Sequence, residues 1–184
     1  NYIETNTQIE DPEKGTHREI YKLLDLNEDG VPELYINFGS TAGGDAILSY
    51  FNGEIVEQKM DNYGFRYIEG ANLFRDSGGH MDEYYDKIYT LENGNFVLLY
   101  SGEYGAEDNS KVEYGDDGMP VYQYFWENEE VSSEEEYDRK LNEVYDTEKE
   151  VNIFLDAQYD SGRGRYVGNG LCDYQEITEA IEAY

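Results

Sequence analysis

Positive charge is scarce in this sequence: 13 Lys and Arg stand against 42 Asp and Glu, a formal net charge of -29. Such a chain repels phosphate backbones and anionic lipid headgroups wherever salt does not screen the charges, so nucleic acid and acidic membrane surfaces are not its expected partners. Cysteine is nearly absent. The single Cys172 has no mate for an internal disulfide and none of the companions of a thiolate metal site, so it reads as a buried structural thiol. Histidine is limited to His17 and His80, which excludes a His-Glu-x-x-His zinc helix. No apolar run has the length needed to cross a bilayer, so no transmembrane segment is expected. The chain opens on Asn1; removal of an N-terminal piece is expected, a signal peptide being one candidate.

Aromatic residues are plentiful. Acidity with few apolar anchors would point to disorder, but 15% of the residues are aromatic, with Tyr 20, Phe 7 and Trp 1, enough for a packed core. From Ile20 to Trp126 short Tyr/Ile/Leu/Val/Phe runs alternate with Gly, Asn and Asp, the pattern of strands and turns. Asn52-Gly53 and Asn93-Gly94 sit between such runs and predict two tight hairpins, because Asn-Gly suits a turn with positive φ. Asp117-Gly118 before Pro120 predicts a third turn. After Trp126 the period changes. Ser133 and Glu136 form a capping-box pattern ahead of Tyr137, Leu141, Val144 and Tyr145, which predicts an amphipathic helix. Residues 147–159 read equally as helix or strand, 160–170 as a flexible loop, and Asp173 with Glu176 as the cap of a last helix carrying Ile177, Ala180, Ile181 and Tyr184 on one face. The expectation is an α+β fold in a single domain, 1–184. Mainly antiparallel β-sheet over about 20–126 (a strand-rich part at about 18–127) precedes C-terminal helices (a helical part at about 132–184).

One segment carries a chemical pattern. Asp25-Leu26-Asn27-Glu28-Asp29-Gly30-Val31-Pro32-Glu33 places side-chain oxygens at the first, third, fifth and ninth positions of a tight loop, with the Val31 carbonyl between them, a ligand set for a hard cation such as Ca²⁺. Gly30 permits the sharp bend. The twelfth position, where an EF-hand needs a bidentate Glu, is Ile36 inside an apolar run, so the loop is not an EF-hand. An Asn/Asp/Gly turn with no ion is the plainer alternative.

Lying between two strand-like segments, the loop resembles the calcium turn of the FG-GAP repeats in integrin-type propellers. That resemblance implies Asp25, Asn27, Asp29, the Val31 carbonyl and Glu33 as ligands of a structural Ca²⁺, with Glu33 in place of the more usual Asp. From about Ile20 to Leu141 the chain also resembles a loose group of secreted proteins and lipoproteins of gut-type Gram-positive bacteria. The likeness rests on Leu23–Leu34, Ser77–Met81 and Val131–Tyr137; it implies an extracellular or surface-anchored location and no particular activity.

Other candidates compete with structural readings. His80, beside Asp76 and Asp82, has the neighbours of a general base, but the surrounding Ser-Gly-Gly-His-Met also reads as a tight turn, and Ser77 lacks a nucleophile elbow. Tyr122, Tyr124 and Trp126 alternate along one strand and therefore line one face, either as core or as a platform for a glycan or protein partner. No catalytic constellation emerges. The expectation is an extracytoplasmic, calcium-stabilised binding or interaction module, with an extracellular, glycosidase-like hydrolase acting through unlocated carboxylates as the alternative.

Overall fold

The computed structural model describes residues 19–39, 43–61, 63–155 and 157–184; His17 lies outside them. Strands β1 (Ile20–Leu24), β2 (Glu33–Asn37), β3 (Asp45–Phe51) and β4 (Glu54–Met60) form a four-stranded antiparallel meander in the order β1-β2-β3-β4. A second, seven-stranded antiparallel sheet follows. It contains β5 (Phe65–Ile68), β6 (Leu73–His80), β7 (Glu83–Glu92), β8 (Asn95–Gly105), β9 (Gln123–Trp126), β10 (Glu129–Val131) and β11 (Glu150–Asn152), in the order β10-β9-β8-β7-β6-β5-β11. A hairpin of β12 (Gln158–Asp160) and β13 (Arg165–Val167), and helices α1 (Glu134–Val144) and α2 (Tyr174–Glu182), complete the described chain. The protein is thus α+β, dominated by antiparallel sheet, with its second helix at the C-terminal end.

Side-chain alternation along the strands sorts the core into three layers. Ile20, Leu24, Tyr35, Ile47 and Met60 of the small sheet meet Phe65, Phe74 and Tyr89 of the large one. Tyr21, Ile36, Ala46 and Leu48, one residue out of step, point to the other face of the small sheet and pack against Ile177 of α2. On the far face of the large sheet, Ile88, Trp126 and Val131 pack under Tyr137 and Leu141 of α1. The order of layers is therefore α2, small sheet, large sheet, α1.

Turn chemistry explains the hairpins. Asn52-Gly53 (φ 51 and 91) joins β3 to β4, and Asn93-Gly94 (φ 50 and 74) joins β7 to β8, where the sequence places them. Gly118 (φ 78) lies in the expected third turn, where Gly115 N–H donates to the Met119 carbonyl at 2.9 Å. Ser133 caps α1 by accepting from Glu136 N–H at 3.3 Å, but the Glu136 carboxylate turns to Ser132 N–H at 3.0 Å, so the cap is one-sided. Asp173 and Glu176 make the reciprocal capping box at α2.

Between the helices the structure settles segment 147–159, left open by the sequence between helix and strand, and departs from the sequence reading at 160–170. A short 3₁₀ turn at Thr147–Lys149 leads into β11, which adds to the edge of the large sheet beside β5. The segment expected as a flexible loop, 160–170, instead holds the end of β12 and all of β13, which pair as a hairpin. There Arg165, 5% exposed, bonds to Asp173 at 3.0 Å and Glu176 at 3.2 Å. Cys172 is half-buried rather than buried, because its backbone pairs with Tyr21 at the margin of the small sheet.

Two residues of the aromatic stripe, Tyr124 and Trp126, pack under α1. Trp126 is 7% exposed and meets Tyr137 edge-on at 5.6 Å, and Tyr124 is half-buried against the same ring. Tyr122, also half-buried, donates to Asp82 at 2.7 Å. Trp126 should therefore emit at short wavelength and resist acrylamide quenching. Red-shifted, readily quenched emission from the folded protein would contradict this packing.

Candidate functional site

The Asp25–Glu33 segment connects β1 to β2, whose register pairs Leu24 with Glu33 and so closes the loop at its neck. Its polar side chains curl inward onto the backbone. Asp25 accepts from Asp29 N–H and Gly30 N–H, both at 3.1 Å; Asn27 accepts from Asp29 N–H at 3.2 Å; Asp29 accepts from Val31 N–H at 2.7 Å. Glu28 (φ 56) and Gly30 (φ 83) take up the reversal, and the Gly30 carbonyl accepts from the Tyr184 hydroxyl. Glu33 is 2% exposed, its carboxylate accepting from Leu26 N–H at 3.1 Å. Burial pushes the Glu33 carboxyl up to about 7, and Asp29 and Asp25 add to the rise by like-charge repulsion.

The donor set suits a hard cation, because every candidate atom is an oxygen, two lone pairs sit on each carboxylate oxygen, and a buried acid stands beside two others. Among the described residues no Lys or Arg pairs with Asp25, Asp29 or Glu33. Also among the described residues, no three His, Cys, Asp or Glu side chains are already gathered at metal-holding geometry. The loop's own hydrogen bonds account for that: Glu33 faces Leu26 N–H and the aspartates face the turn.

Two further acids are buried where the sheets meet. Asp45 of β3, 1% exposed, accepts from Tyr35 at 2.7 Å and Asn37 at 2.6 Å; Asp76 of β6, 3% exposed, accepts from Asp61 N–H at 3.2 Å and Tyr85 at 3.1 Å. Burial, only partly offset by these donors, pushes Asp45 up to about 7 and Asp76 up to about 6. Both values lie above the ordinary carboxylate range, so between about pH 4 and 7 the folded protein holds protons that the unfolded chain releases. Stability is thus expected to fall as pH rises through that window. Melts in chelator should give a higher midpoint near pH 5 than near pH 8, and Asp45→Asn should flatten the slope. A slope that Asp45→Asn leaves unchanged would remove Asp45 from the account.

His80 is exposed at the end of β6, where Met81 and Asp82 (φ 53 and 64) form the turn into β7. It lies on the margin of a groove of about 550 Å³ that also takes in Asp61, Glu83, Tyr85, Lys87, Glu103 and Phe125. Sequence reasoning missed this groove, since its residues come from separate strands and only their register unites them. Tyr122, Tyr124 and Trp126 are not part of its lining. A second groove, of about 500 Å³ and largely apolar, runs between the small sheet and α2 and touches Val31 and Pro32 of the loop.

Comparison with protein families, curated proteins and solved structures finds no match to the chain. Among the described residues no helix is long and apolar enough to cross a membrane.

Proposed function

We propose that this protein is an extracytoplasmic binding or interaction module whose β1–β2 connection is held by a structural Ca²⁺. Asp25, Asn27, Asp29, the Val31 carbonyl and Glu33 are its ligands. The observation that carries the reading is Glu33: a buried carboxyl at the neck of a loop that also presents Asp25 and Asp29, with no basic side chain among the described residues to neutralise them. Ca²⁺ tolerates irregular oxygen shells, and its binding exchanges the carboxylates' hydrogen bonds to the backbone for the ion. The extracytoplasmic location rests on resemblance alone. Against the hydrolase alternative stands the fact that the two acids raised at the sheet junction, Asp45 and Asp76, are engaged by tyrosines and backbone and are not offered to a substrate.

Calorimetric titration of chelator-treated protein with Ca²⁺ tests the proposal. A single site is expected, lost in Asp25→Ala with Asp29→Ala and poorly filled by Mg²⁺, which demands a smaller octahedral shell. No heat of binding at millimolar Ca²⁺, or equal affinity in the double variant, would defeat it.

A further inference from the structure

The small sheet covers only part of the large sheet's inner face. Around Phe74 and Tyr89 that face is core, but toward the other end of the same strands it opens into the groove of about 550 Å³. Register fixes what lies there. Tyr85 of β7 pairs with Glu103 of β8, which pairs with Phe125 of β9; in the next row out, His80 pairs with Glu83, Glu83 with Gly105, and Gly105 with Gln123. Asp61, from the β4–β5 connection, closes one side. It fits only because Gly78 has no side chain: a Cβ there would stand 2.3 Å from the Asp61 carboxylate.

Two aromatic rings on this face belong to none of the three core clusters, Tyr85 and Phe125. Tyr85 already holds a cation: Lys87 Nζ lies 4.4 Å from its ring centre, across the sheet from Asp76. Phe125, in register beside exposed Glu103, repeats that ring-and-carboxylate arrangement, yet among the described residues neither carries a Lys or Arg. Asp61, Glu83 and Glu103 outnumber Lys87, in a chain whose net charge of -29 draws cations from a distance. Glu83 and Glu103 are diagonal neighbours on adjacent antiparallel strands, about 7–8 Å apart at the backbone. Alternate residues of an extended peptide are spaced by about 7 Å.

From these observations we infer that the groove docks an extended basic segment of a partner protein, with Lys or Arg at alternate positions meeting Glu83 and Glu103 and one cation resting on the face of Phe125. This names the partner chemistry of the binding module proposed above and rests on that reading. Charge complementarity sets the class of partner, the free ring and register its spacing.

Fluorescence anisotropy of a labelled peptide alternating Lys with Ser, in excess Ca²⁺, tests the inference against a peptide of the same composition with its Lys residues contiguous. Spermidine and neutral oligosaccharides serve as competitors. The alternating peptide should bind more tightly, weakening as salt is raised, and Glu103→Gln or Phe125→Leu should each weaken it by about tenfold. Glu135→Gln, on exposed α1 at the opposite face, should change it less than about twofold. Melting curves confirm that the variants fold. Equal losses from Glu103→Gln and Glu135→Gln would reduce the effect to general acidity and overturn the inference, as would equal binding of the two peptides, or displacement by oligosaccharide rather than by peptide. Repeating the titration in chelator separates the two proposals, because Ca²⁺ dependence of the melt reports on the loop and anisotropy reports on the groove.

Discussion

Adding Ca²⁺ to chelator-treated protein should raise its melting temperature by about 5–10 °C when the free ion stands at about a hundred times its dissociation constant. A ligand bound only by the folded state then adds about 2.7 kcal/mol, and in a chain of this size each kcal/mol moves the midpoint by about 2–4 °C. The physical source is the neck of the loop. Glu33 is 2% exposed, beside Asp25 and Asp29, so folding without an ion confines three acids together and strips one of water. Asp25→Ala and Asp29→Ala should each abolish most of the Ca²⁺-induced shift. They should change the melt in chelator far less, because removing an unneutralised acid also removes repulsion. Coincident curves with Ca²⁺ and with chelator would make the loop a hydrogen-bonded turn and nothing more.

The turn of this loop was legible because its oxygen-bearing side chains, which fold back onto the backbone, lie within nine residues of sequence. The same holds for the Asn-Gly hairpins and for the Asp173–Glu176 cap, where backbone preference and side-chain chemistry act over a few positions. Other turns were harder to place. The turn read over Ser77–Met81 falls at Met81-Asp82, with Ser77–His80 inside β6, and Glu127-Asn128 escaped; both pairs adopt the same left-handed backbone as Asn-Gly without a glycine of their own, a conformation that strand pairing on both sides imposes. β11 stayed open between helix and strand for a similar reason: Val151-Asn152 has no settled strand identity until the exposed edge of β5 supplies a partner.

The buried acids were invisible for a deeper reason. Nothing near Asp45 or Asp76 in sequence distinguishes them from the many solvated carboxylates of the chain; their burial follows from which strands stack on which. The groove is likewise a product of register. A slip of one residue between β8 and β9 would turn Phe125 into the α1 layer and Trp126 out of it.

Register also creates the feature expected to matter most for stability, a buried ionic network on the α1 face of the large sheet. Arg75 of β6 reaches Asp86 of β7 at 2.7 Å and, across β5, Glu150 of β11, also at 2.7 Å. The second Asp86 oxygen accepts from Tyr137 of α1 at 2.8 Å, and the guanidinium lies 5.6 Å from the centre of the Tyr145 ring. One arginine thus ties two inner strands, an edge strand and a helix. Side-chain exposure is 13% for Arg75 and 5% for Asp86, so the pair is largely out of water, whereas Glu150, at 21%, retains some hydration. Arg75→Met should therefore destabilise by about 3–5 kcal/mol, since it leaves Asp86 buried without its cation. The melting temperature should drop on the order of 10 °C. Most of that loss arises from the stranded charge rather than from the lost attraction, which gives a second, opposite expectation. Adding Asp86→Leu and Tyr137→Phe to Arg75→Met removes the stranded carboxylate together with the hydroxyl that would lose its acceptor, so the triple variant should be more stable than Arg75→Met alone. Chemical denaturation of the single and triple variants decides the matter. If Arg75→Met costs less than about 1 kcal/mol, the network is no more than a surface ion pair in its effect; if the triple variant is the weaker of the two, the tie from β6 and β7 to β11 and α1 acts through attraction after all.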